Sequence, residues 1–175
     1  LEGQQIKINN MYEDDLVGNA RFVGEVIGQL SKALENVEVL VKDANIYESV
    51  KNWAIPQLRG KINVSEEVFV DYVENFGKIL KNLPVQVIHR DPNLGNIIVA
   101  EDKWGFIDFE LSERNIRIFD PCYAATAILS ESFEFGNESK LAKWIQIYKN
   151  IIYGYDDVVK LTAAEKKAVP YVVLS

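Results

Sequence analysis

Three short runs of β-prone residues interrupt a sequence whose other patterned segments are helical. The runs are Val85–Ile88, residues 97–99 and residues 106–109, and each has the length and the β-branched or aromatic content of a small strand. Residues 101–103 (Glu-Asp-Lys) provide a turn between the last two runs. The sequence therefore predicts a mostly helical α+β domain with one small β-hairpin patch.

Amphipathic periodicity predicts helices on both sides of this patch. Apolar residues recur at steps of three and four from Leu16 to Leu34, and Asp14 or Asp15 can cap this helix. Gly18, Gly24 and Gly28 weaken it or mark places where another helix approaches closely. The other predicted helices cover residues 46–53 (stopped before Pro56), 65–80, 120–129, 138–153 and 162–175, the last opened by the capping-box pattern Thr162-x-x-Glu165.

Length and charge exclude several classes of protein. The chain has 175 residues, which suits one domain with a real core. Its formal net charge is -7, and its lysines are scattered among acids, so no basic stripe for nucleic acid is expected. No window approaches the roughly 20 apolar residues that a membrane span needs.

The ends of the sequence and its single cysteine suggest a cytoplasmic piece of a longer or processed protein. Cys122 cannot form a disulfide within the chain, so a reducing compartment is the simple interpretation. The start lacks an initiator Met and the pattern of a signal peptide. The chain also ends while still apolar, which we interpret as a cut inside a packed element.

Three oxygen-bearing side chains in and after the β patch form the candidate site. Asp91 follows the first predicted strand, Asn96 precedes the second, and Asp108 lies in the third. Phosphoryl transfer needs positioning and charge neutralisation more than covalent help from the protein. Mg²⁺ prefers carboxylate and other oxygen ligands, and a loop carboxylate can orient an attacking hydroxyl or accept its proton. The set therefore suits metal-assisted phosphoryl transfer.

Plainer roles remain open for the same residues. Asp91 before Pro92 can be a turn former, and Asn96 can be a strand-entry residue. Asp108 is harder to explain in this way, because an acid between Ile107 and Phe109 costs free energy unless it has a partner.

Four nearby polar features have two possible roles each. Asp120, followed by proline, is a helix cap or a brace for the loop that holds Asp91. Arg90 contacts an anionic substrate or pairs with a local acid. Glu110 is exposed or faces the substrate. The stretch 131–134 (Glu-Ser-Phe-Glu) is a solvated loop or a site for a cationic substrate.

These residues resemble a known family. His89-Arg90-Asp91 followed by Asn96 matches the kinase catalytic-loop pattern H-x-D-x-x-x-x-N, and Asp108 resembles the metal-binding Asp of the D-F-G position. The chain looks more like the aminoglycoside phosphotransferase and choline kinase-like group than like protein kinases. The strong resemblance covers residues 87–130, and the implied fold is the C-terminal lobe of a protein-kinase-like fold.

Three features separate the sequence from protein kinases. Asp108-Phe109-Glu110 stands where protein kinases have D-F-G, and Asp120 follows after only a short segment. No A-P-E sequence is present, and there is no room for a long activation loop.

The resemblance implies a role for each matching position. Asp91 would be the catalytic base or the group that orients the hydroxyl. Asn96 and Asp108 would be the Mg²⁺ ligands. Ile98 and Ile107 would lie against the adenine of ATP as an apolar floor.

The resemblance also implies supporting roles and departures from the family pattern. His89 would support the loop by packing and hydrogen bonding, and Leu1-Glu2-Gly3 resembles the end of the hinge between the two lobes. Arg90 and Pro92 replace the Gly and Leu common around this Asp, which would alter substrate access. The Gly-rich loop and lysine–glutamate pair of an N-terminal lobe do not precede residue 1, so we expect activity only in the full-length parent.

The implied function is transfer of the γ-phosphate of ATP to a hydroxyl of a small molecule. A nucleotide-binding pseudokinase or regulatory module is the alternative, and retention of all three polar groups argues against it. The short segment after Asp108 argues against protein-kinase activity. A helical scaffold without a site leaves Asp108 unexplained.

Overall fold

The computed structural model describes residues 3–13, 15–101 and 103–175. Asp14 as a possible cap, Asp102 in the predicted turn, and Leu1 and Glu2 in the hinge comparison lie outside the described residues. The helices are α1 Leu16–Leu34, α2 Ile46–Ser49, α3 Ile55–Leu58, α4 Glu66–Asp71, α5 Gly77–Leu80, α6 Phe119–Ser132, α7 Glu138–Val158 and α8 Ala163–Val173. The strands are β1 Gln4–Gln5, β2 Lys42–Asp43, β3 Val85–Ile88, β4 Ile97–Ala100, β5 Lys103–Phe106 and β6 Glu113–Ile116. The predicted α+β, mostly helical class is confirmed.

Short helical segments complete the fold. Single 3₁₀ turns form at Ile8–Met11 and Leu94–Asn96. The π-helical segment Val50–Ala54 joins α2 to α3, and Tyr72–Phe76 joins α4 to α5. Residues 46–58 and residues 66–80 therefore each form one continuous helix.

Two small three-stranded sheets frame the candidate site. One sheet has the order β1-β4-β5 and is antiparallel, with Ile97 opposite Phe106. The other has the order β2-β6-β3, with Ile88 opposite Glu113 in its antiparallel pair and β2 parallel to β6. The chain thus passes from the second sheet to the first through residues 89–96, and returns through residues 107–112. These two connections start and finish at paired positions, so they lie side by side.

The helical core is organised by close contact between α1 and α7. A Cβ atom added at Gly24 would overlap the Ile151 carbonyl oxygen, and one added at Gly154 would overlap the carbonyl oxygen of Arg21. Glycine lets the two backbones approach at these points, which confirms the close-approach interpretation for Gly24. Asp15 accepts a hydrogen bond from the Gly18 N–H and caps α1, as one of the two predicted alternatives.

α6 links this core to the sheets. Cys122 is fully buried in α6, as predicted. The Trp144 indole N–H of α7 donates a hydrogen bond of 2.7 Å to the Ala125 carbonyl of α6. The predicted capping box of α8 is present, because Thr162 and Glu165 exchange the expected hydrogen bonds. Among the described residues, no helix combines the length and apolar character that crossing a bilayer requires.

Two sequence predictions about elements were wrong in detail. The third strand was predicted at residues 106–109 but forms at Lys103–Phe106. It cannot include Asp108, whose φ of 63° lies in the left-handed region that an extended strand does not allow. The helix predicted to stop before Pro56 continues to Leu58. The π-helical turn that precedes Pro56 changes the local hydrogen-bond pattern, which is how a helix accommodates a proline. Strands β1, β2 and β6 were not predicted.

Candidate active site

The Asp91 carboxylate is held by two amide side chains of its own loop. Asn93 Nδ2 donates to Asp91 Oδ1 over 2.8 Å, and Asn96 Nδ2 donates to Asp91 Oδ2 over 3.2 Å. Asn96 Nδ2 also donates to the Asp91 carbonyl oxygen over 2.9 Å. Both carboxylate oxygens therefore have a donor, and the carboxylate has a defined orientation while remaining half-buried. The same contacts leave the amide oxygen of Asn96, and not its nitrogen, as the atom for a cation.

The His89 side chain links the two segments that join the sheets, residues 89–96 and residues 107–112. Its side chain is fully buried, Nε2 lies 3.0 Å from the Ile107 carbonyl oxygen, and Nδ1 lies 3.4 Å from the Asp91 N–H. An Nδ1 that accepts from this N–H requires a neutral ring with the proton on Nε2. Burial lowers the pKa of His89, although the Ile107 carbonyl and the charges of Asp91 and Asp108 oppose the effect. The predicted packing and hydrogen-bonding role of His89 is confirmed.

Asp120 braces the backbone immediately before Asp91. Its carboxylate is 3% exposed and accepts the N–H of His89 over 2.9 Å and the N–H of Arg90 over 3.0 Å. Ile118, and not Asp120, occupies the N-cap position of α6, so the bracing role is the correct one of the two alternatives. Burial raises the pKa of Asp120 to about 7, and the two N–H donors oppose this rise.

The Arg90 side chain forms its contacts with other residues of this chain. It has a φ of 78°, its Nε donates to Glu113 Oε1 over 3.0 Å, and its guanidinium lies 4.7 Å from the centre of the Phe119 ring. The interpretation that Arg90 pairs with a local acid is therefore correct. The left-handed backbone here is tolerated because Asp120, Glu113 and Phe119 all fix the residue.

Asp108 lies beside the metal-binding candidate Asn96. The Ile107 N–H donates to the Asn96 carbonyl oxygen over 3.1 Å. Asn96 is therefore hydrogen-bonded to the residue immediately before Asp108. Asp108 is exposed, so the free-energy cost that the sequence argument assigned to an unpartnered acid at this position does not arise. The structure thus places Asp91 and Asn96 in direct contact, with Asp108 on the neighbouring connection.

The donor set fits a hard cation by its chemistry. The Asp108 carboxylate and the Asn96 amide oxygen are oxygen ligands of the kind that Mg²⁺ prefers, with phosphate oxygens and water completing its octahedron. Among residues 3–13, 15–101 and 103–175, no group of three or more His, Cys, Asp and Glu is placed to hold a metal ion. A divalent ion would therefore depend on the single carboxylate of Asp108, on Asn96 and on the phosphates.

Ile98 and Ile107 lie away from the core face of the first sheet. Side chains alternate along a strand, and Ile97 and Val99 pack into the core while Ile98 lies between them on the other face. Ile107 is 40% exposed. Ile98 is thus partly exposed and Ile107 is exposed.

A cavity beside Asp91 was missed by the sequence analysis. Its volume is about 350 Å³, and it is lined by Asn93, Tyr123, Thr126, Ala127, Ser130 and Glu131. Burial and the neighbouring Asp91 carboxylate raise the pKa of Tyr123, and the charge of Glu131 adds to the effect. The spacing of these side chains on one face of α6 was the available signal, but it indicates a site only once Asp91 is known to lie beside it.

The sequence matches the model of the phosphotransferase enzyme family over residues 1–146. This chain belongs to that family. The resemblance inferred from the catalytic-loop pattern is therefore confirmed. No curated protein matches the chain in sequence.

Solved structures share the fold of this phosphotransferase family chain. The amicoumacin kinase hAmiN, in complex with AMP-PNP, Ca²⁺ and Ami, has a TM-score of 0.64 at 14% identity, over 99% of this chain and 52% of that one. A choline kinase from Cryptosporidium parvum Iowa II has a TM-score of 0.59 at 14% identity, over 99% and 59%. A microcompartment-associated aminopropanol kinase has a TM-score of 0.53 at 15% identity, over 90% and 50%.

These comparisons establish the fold and its extent. The chain spans 50–59% of the length of these three structures. At such low identities the likeness shows the fold alone, and the predicted lobe of a kinase-like fold is confirmed at that level.

Proposed function

We propose that the chain is the C-terminal lobe of an ATP-dependent kinase that transfers the γ-phosphate to a hydroxyl of a small molecule. The observation that carries this proposal is the Asp91 carboxylate, oriented by Asn93 and Asn96 on a connection that lies beside Asp108. The names of the similar structures support it, since they include kinases of amicoumacin, aminopropanol and choline. Activity would require the full-length protein, including a lobe that clamps the nucleotide. The greater length of the similar structures supports the presence of such a lobe in the parent protein.

Asp91 would act on the acceptor hydroxyl. The hydroxyl oxygen attacks the γ-phosphorus, the bond from that phosphorus to the bridging oxygen breaks, and ADP leaves. The proton of the hydroxyl passes to an Asp91 oxygen as the new P–O bond forms. Because Asn93 and Asn96 each hold one carboxylate oxygen, Asp91 meets the hydroxyl in a fixed orientation, which reduces the cost of positioning.

Asn96 and Asp108 would hold the divalent metal, and Ile98 and Ile107 would receive the adenine. A bound Mg²⁺ neutralises charge on the phosphates and orients them. Ca²⁺ accompanies the nucleotide analogue in the amicoumacin kinase complex, which supports a divalent site in this fold. Cytoplasmic ATP and the buried thiol of Cys122 favour the cytoplasm as the location.

The test is ATP consumption by the full-length protein with a panel of hydroxyl compounds: amino alcohols, sugars, homoserine and aminoglycosides. Asp91→Asn is expected to lower turnover by about two to four orders of magnitude, while Mg-ATP affinity stays nearly unchanged. Asp71→Asn is the matched control, because Asp71 is exposed on α4 and its side chain contacts Asn75 rather than the site.

Two outcomes would count against the proposal. Unchanged turnover in Asp91→Asn would remove the role of Asp91. Mg-ATP binding without consumption in the presence of any acceptor would favour the catalytically silent nucleotide-binding module instead.

A further inference from the structure

The side chain of Gln5 joins strand β1 to the connection that carries Asp91. Gln5 Nε2 donates a hydrogen bond of 2.8 Å to the Gly95 carbonyl oxygen, across 90 positions of the sequence. This is a short, favourable distance for an N–H donor and a carbonyl acceptor. Gln5 is exposed and belongs to a different element from the loop, so the roles assigned to residues 89–96 do not account for this contact.

Gly95 lies in the turn that orients the Asp91 carboxylate. The 3₁₀ turn Leu94–Asn96 begins with the Asn96 N–H donating to the Asn93 carbonyl oxygen over 3.0 Å. The side chains of Asn93 and Asn96 each hold one oxygen of Asp91. Gly95 therefore lies, in sequence, between the two groups that fix this carboxylate.

The turn has little room in which Gly95 could move. A Cβ atom added at Gly95 would lie 3.0 Å from Asn93 Oδ1, which is tighter than an ordinary contact, and 3.8 Å from Gln5 Nε2. Leu94 is 3% exposed and packs into the core. The core thus holds the inner side of the turn, and Gln5 holds its exposed side. A shift of the Gly95 carbonyl would be passed to Asn93 and from there to the Asp91 carboxylate.

The backbone of β1 lies beside a residue proposed to receive the adenine. Gln5 is paired with Ile98 of β4, and Gln4 is paired with Val99. Gln5 therefore contacts the strand proposed for the nucleotide through its backbone, and the loop proposed for the acceptor hydroxyl through its side chain. Among the described residues of β1, it is Gln5 and not Gln4 whose side chain bonds to this loop.

We propose that Gln5 is a positioning residue for phosphoryl transfer, which fixes the turn that orients Asp91 relative to the strand that receives the nucleotide. It acts through Gly95 and Asn93 and does not touch the reacting atoms. The inference rests on the proposed kinase function, because that function makes Asp91 the group that meets the hydroxyl. A displaced Asp91 raises the barrier of the transfer step, so loss of the Gln5 contact should lower turnover more than it weakens binding.

The test removes the donor of this hydrogen bond in two ways. Gln5→Glu keeps the length of the side chain but has no N–H group, and Gln5→Ala removes the donor without adding a charge. In the full-length protein, both variants are expected to lower kcat by about three- to tenfold, with KM for ATP and for the acceptor unchanged. Agreement between the two variants separates the lost donor from an effect of the new charge.

Amide hydrogen exchange in this chain measures the turn without relying on activity. The exchange of the Asn96 N–H should become about three- to tenfold faster in Gln5→Glu and in Gln5→Ala, because the turn opens more easily. Gln4→Glu and Gln4→Ala are the matched controls, since they make the same changes at the adjacent exposed position of β1. They should leave both kcat and the Asn96 exchange rate unchanged.

Three results would overturn the inference. They are equal effects of the Gln4 and Gln5 variants, an unchanged kcat in both Gln5 variants, and a loss confined to KM for ATP, which would mean that Gln5 serves nucleotide binding alone. Faster Asn96 exchange confined to the Gln5 variants, together with no ATP consumption by the full-length protein without substitutions, would uphold the anchoring of the turn and reject the kinase function.

Discussion

Two buried carboxylates, Asp120 and Glu165, stabilise different regions of the molecule in different ways. Asp120 is 3% exposed and is partnered by two backbone N–H groups of the loop that holds Asp91. Glu165 is fully buried and is partnered by Arg117, whose Nε and Nη2 donate over 2.7 Å and 3.0 Å, and by the Thr162 N–H.

The pKa values of the two groups move in opposite directions. Burial raises the pKa of Asp120 to about 7. Burial also acts to raise the pKa of Glu165, but the hydrogen bonds from Arg117 and Thr162 outweigh it and hold the pKa below its usual value. A cationic partner therefore decides whether a buried acid stays charged. Glu165 of α8 has such a partner in Arg117, directly after β6. Asp120 is hydrogen-bonded only by backbone N–H groups, and the lowering effect of the Arg90 charge on its pKa is smaller than theirs and is opposed by Glu113.

The largest expected effect comes from breaking the charged pair. Arg117→Met leaves the fully buried Glu165 without its cation and should lower the free energy of unfolding by about 3–5 kcal/mol. Urea unfolding followed by circular dichroism measures it. The double variant Arg117→Met with Glu165→Gln should recover much of the loss, because no uncompensated charge remains. A cost below about 1 kcal/mol for Arg117→Met would mean that this pair behaves like an exposed one.

A smaller effect on stability, with a larger one on turnover, is expected from Asp120→Asn. The amide offers one acceptor oxygen, so one of the two N–H groups of His89 and Arg90 loses its partner. The free energy of unfolding should fall by about 1–3 kcal/mol. The full-length protein should lose phosphotransfer more strongly than this destabilisation explains, since the backbone before Asp91 moves. An equally small loss of turnover and stability, as in Asp71→Asn, would argue against a positioning role.

The smallest effect is a local pH response. The amide proton shifts of His89 and Arg90 should titrate with a midpoint of about 7, because protonation turns one Asp120 oxygen from an acceptor into a donor. The Thr162 amide should stay constant between about pH 5 and about pH 8, where Glu165 remains ionised. A shared midpoint for both regions would remove the contrast between them.

The same pKa shift fixes the sign of the effect on global stability. The folded protein binds the Asp120 proton more tightly than the unfolded chain does. The contribution of protonated Asp120 to the free energy of unfolding is therefore fully present below the unfolded pKa of about 4, and is lost as the pH rises through about 7. Loop order and global stability thus respond to pH in opposite directions at this one group.

The sequence predicted what depends on local spacing. Asp91 and Asn96 are five positions apart within one loop, and their contact follows from that spacing together with the family pattern. Thr162 and Glu165 are three positions apart, and their capping box was predicted from the pattern alone.

Contacts between distant parts of the chain could not be predicted in this way. Glu165 was recognised as a capping residue, but its second partner Arg117 precedes it by 48 positions. Asp120 lies 30 and 31 positions after the N–H groups that it accepts. The left-handed backbone of Asp108 arises where β5 ends and the chain returns to β6, and no residue pattern in the sequence predicts it.

The side-by-side connections 89–96 and 107–112 have a consequence for how chains of this kind can vary. Both connections are anchored at both ends by strand pairs, Ile97 with Phe106 and Ile88 with Glu113. A residue inserted into either one would shift Asp91 relative to Asp108, and neither sheet could slide to compensate without losing its register. The lengths of these two segments are therefore constrained together, whereas the exposed face of α6 can change residue by residue.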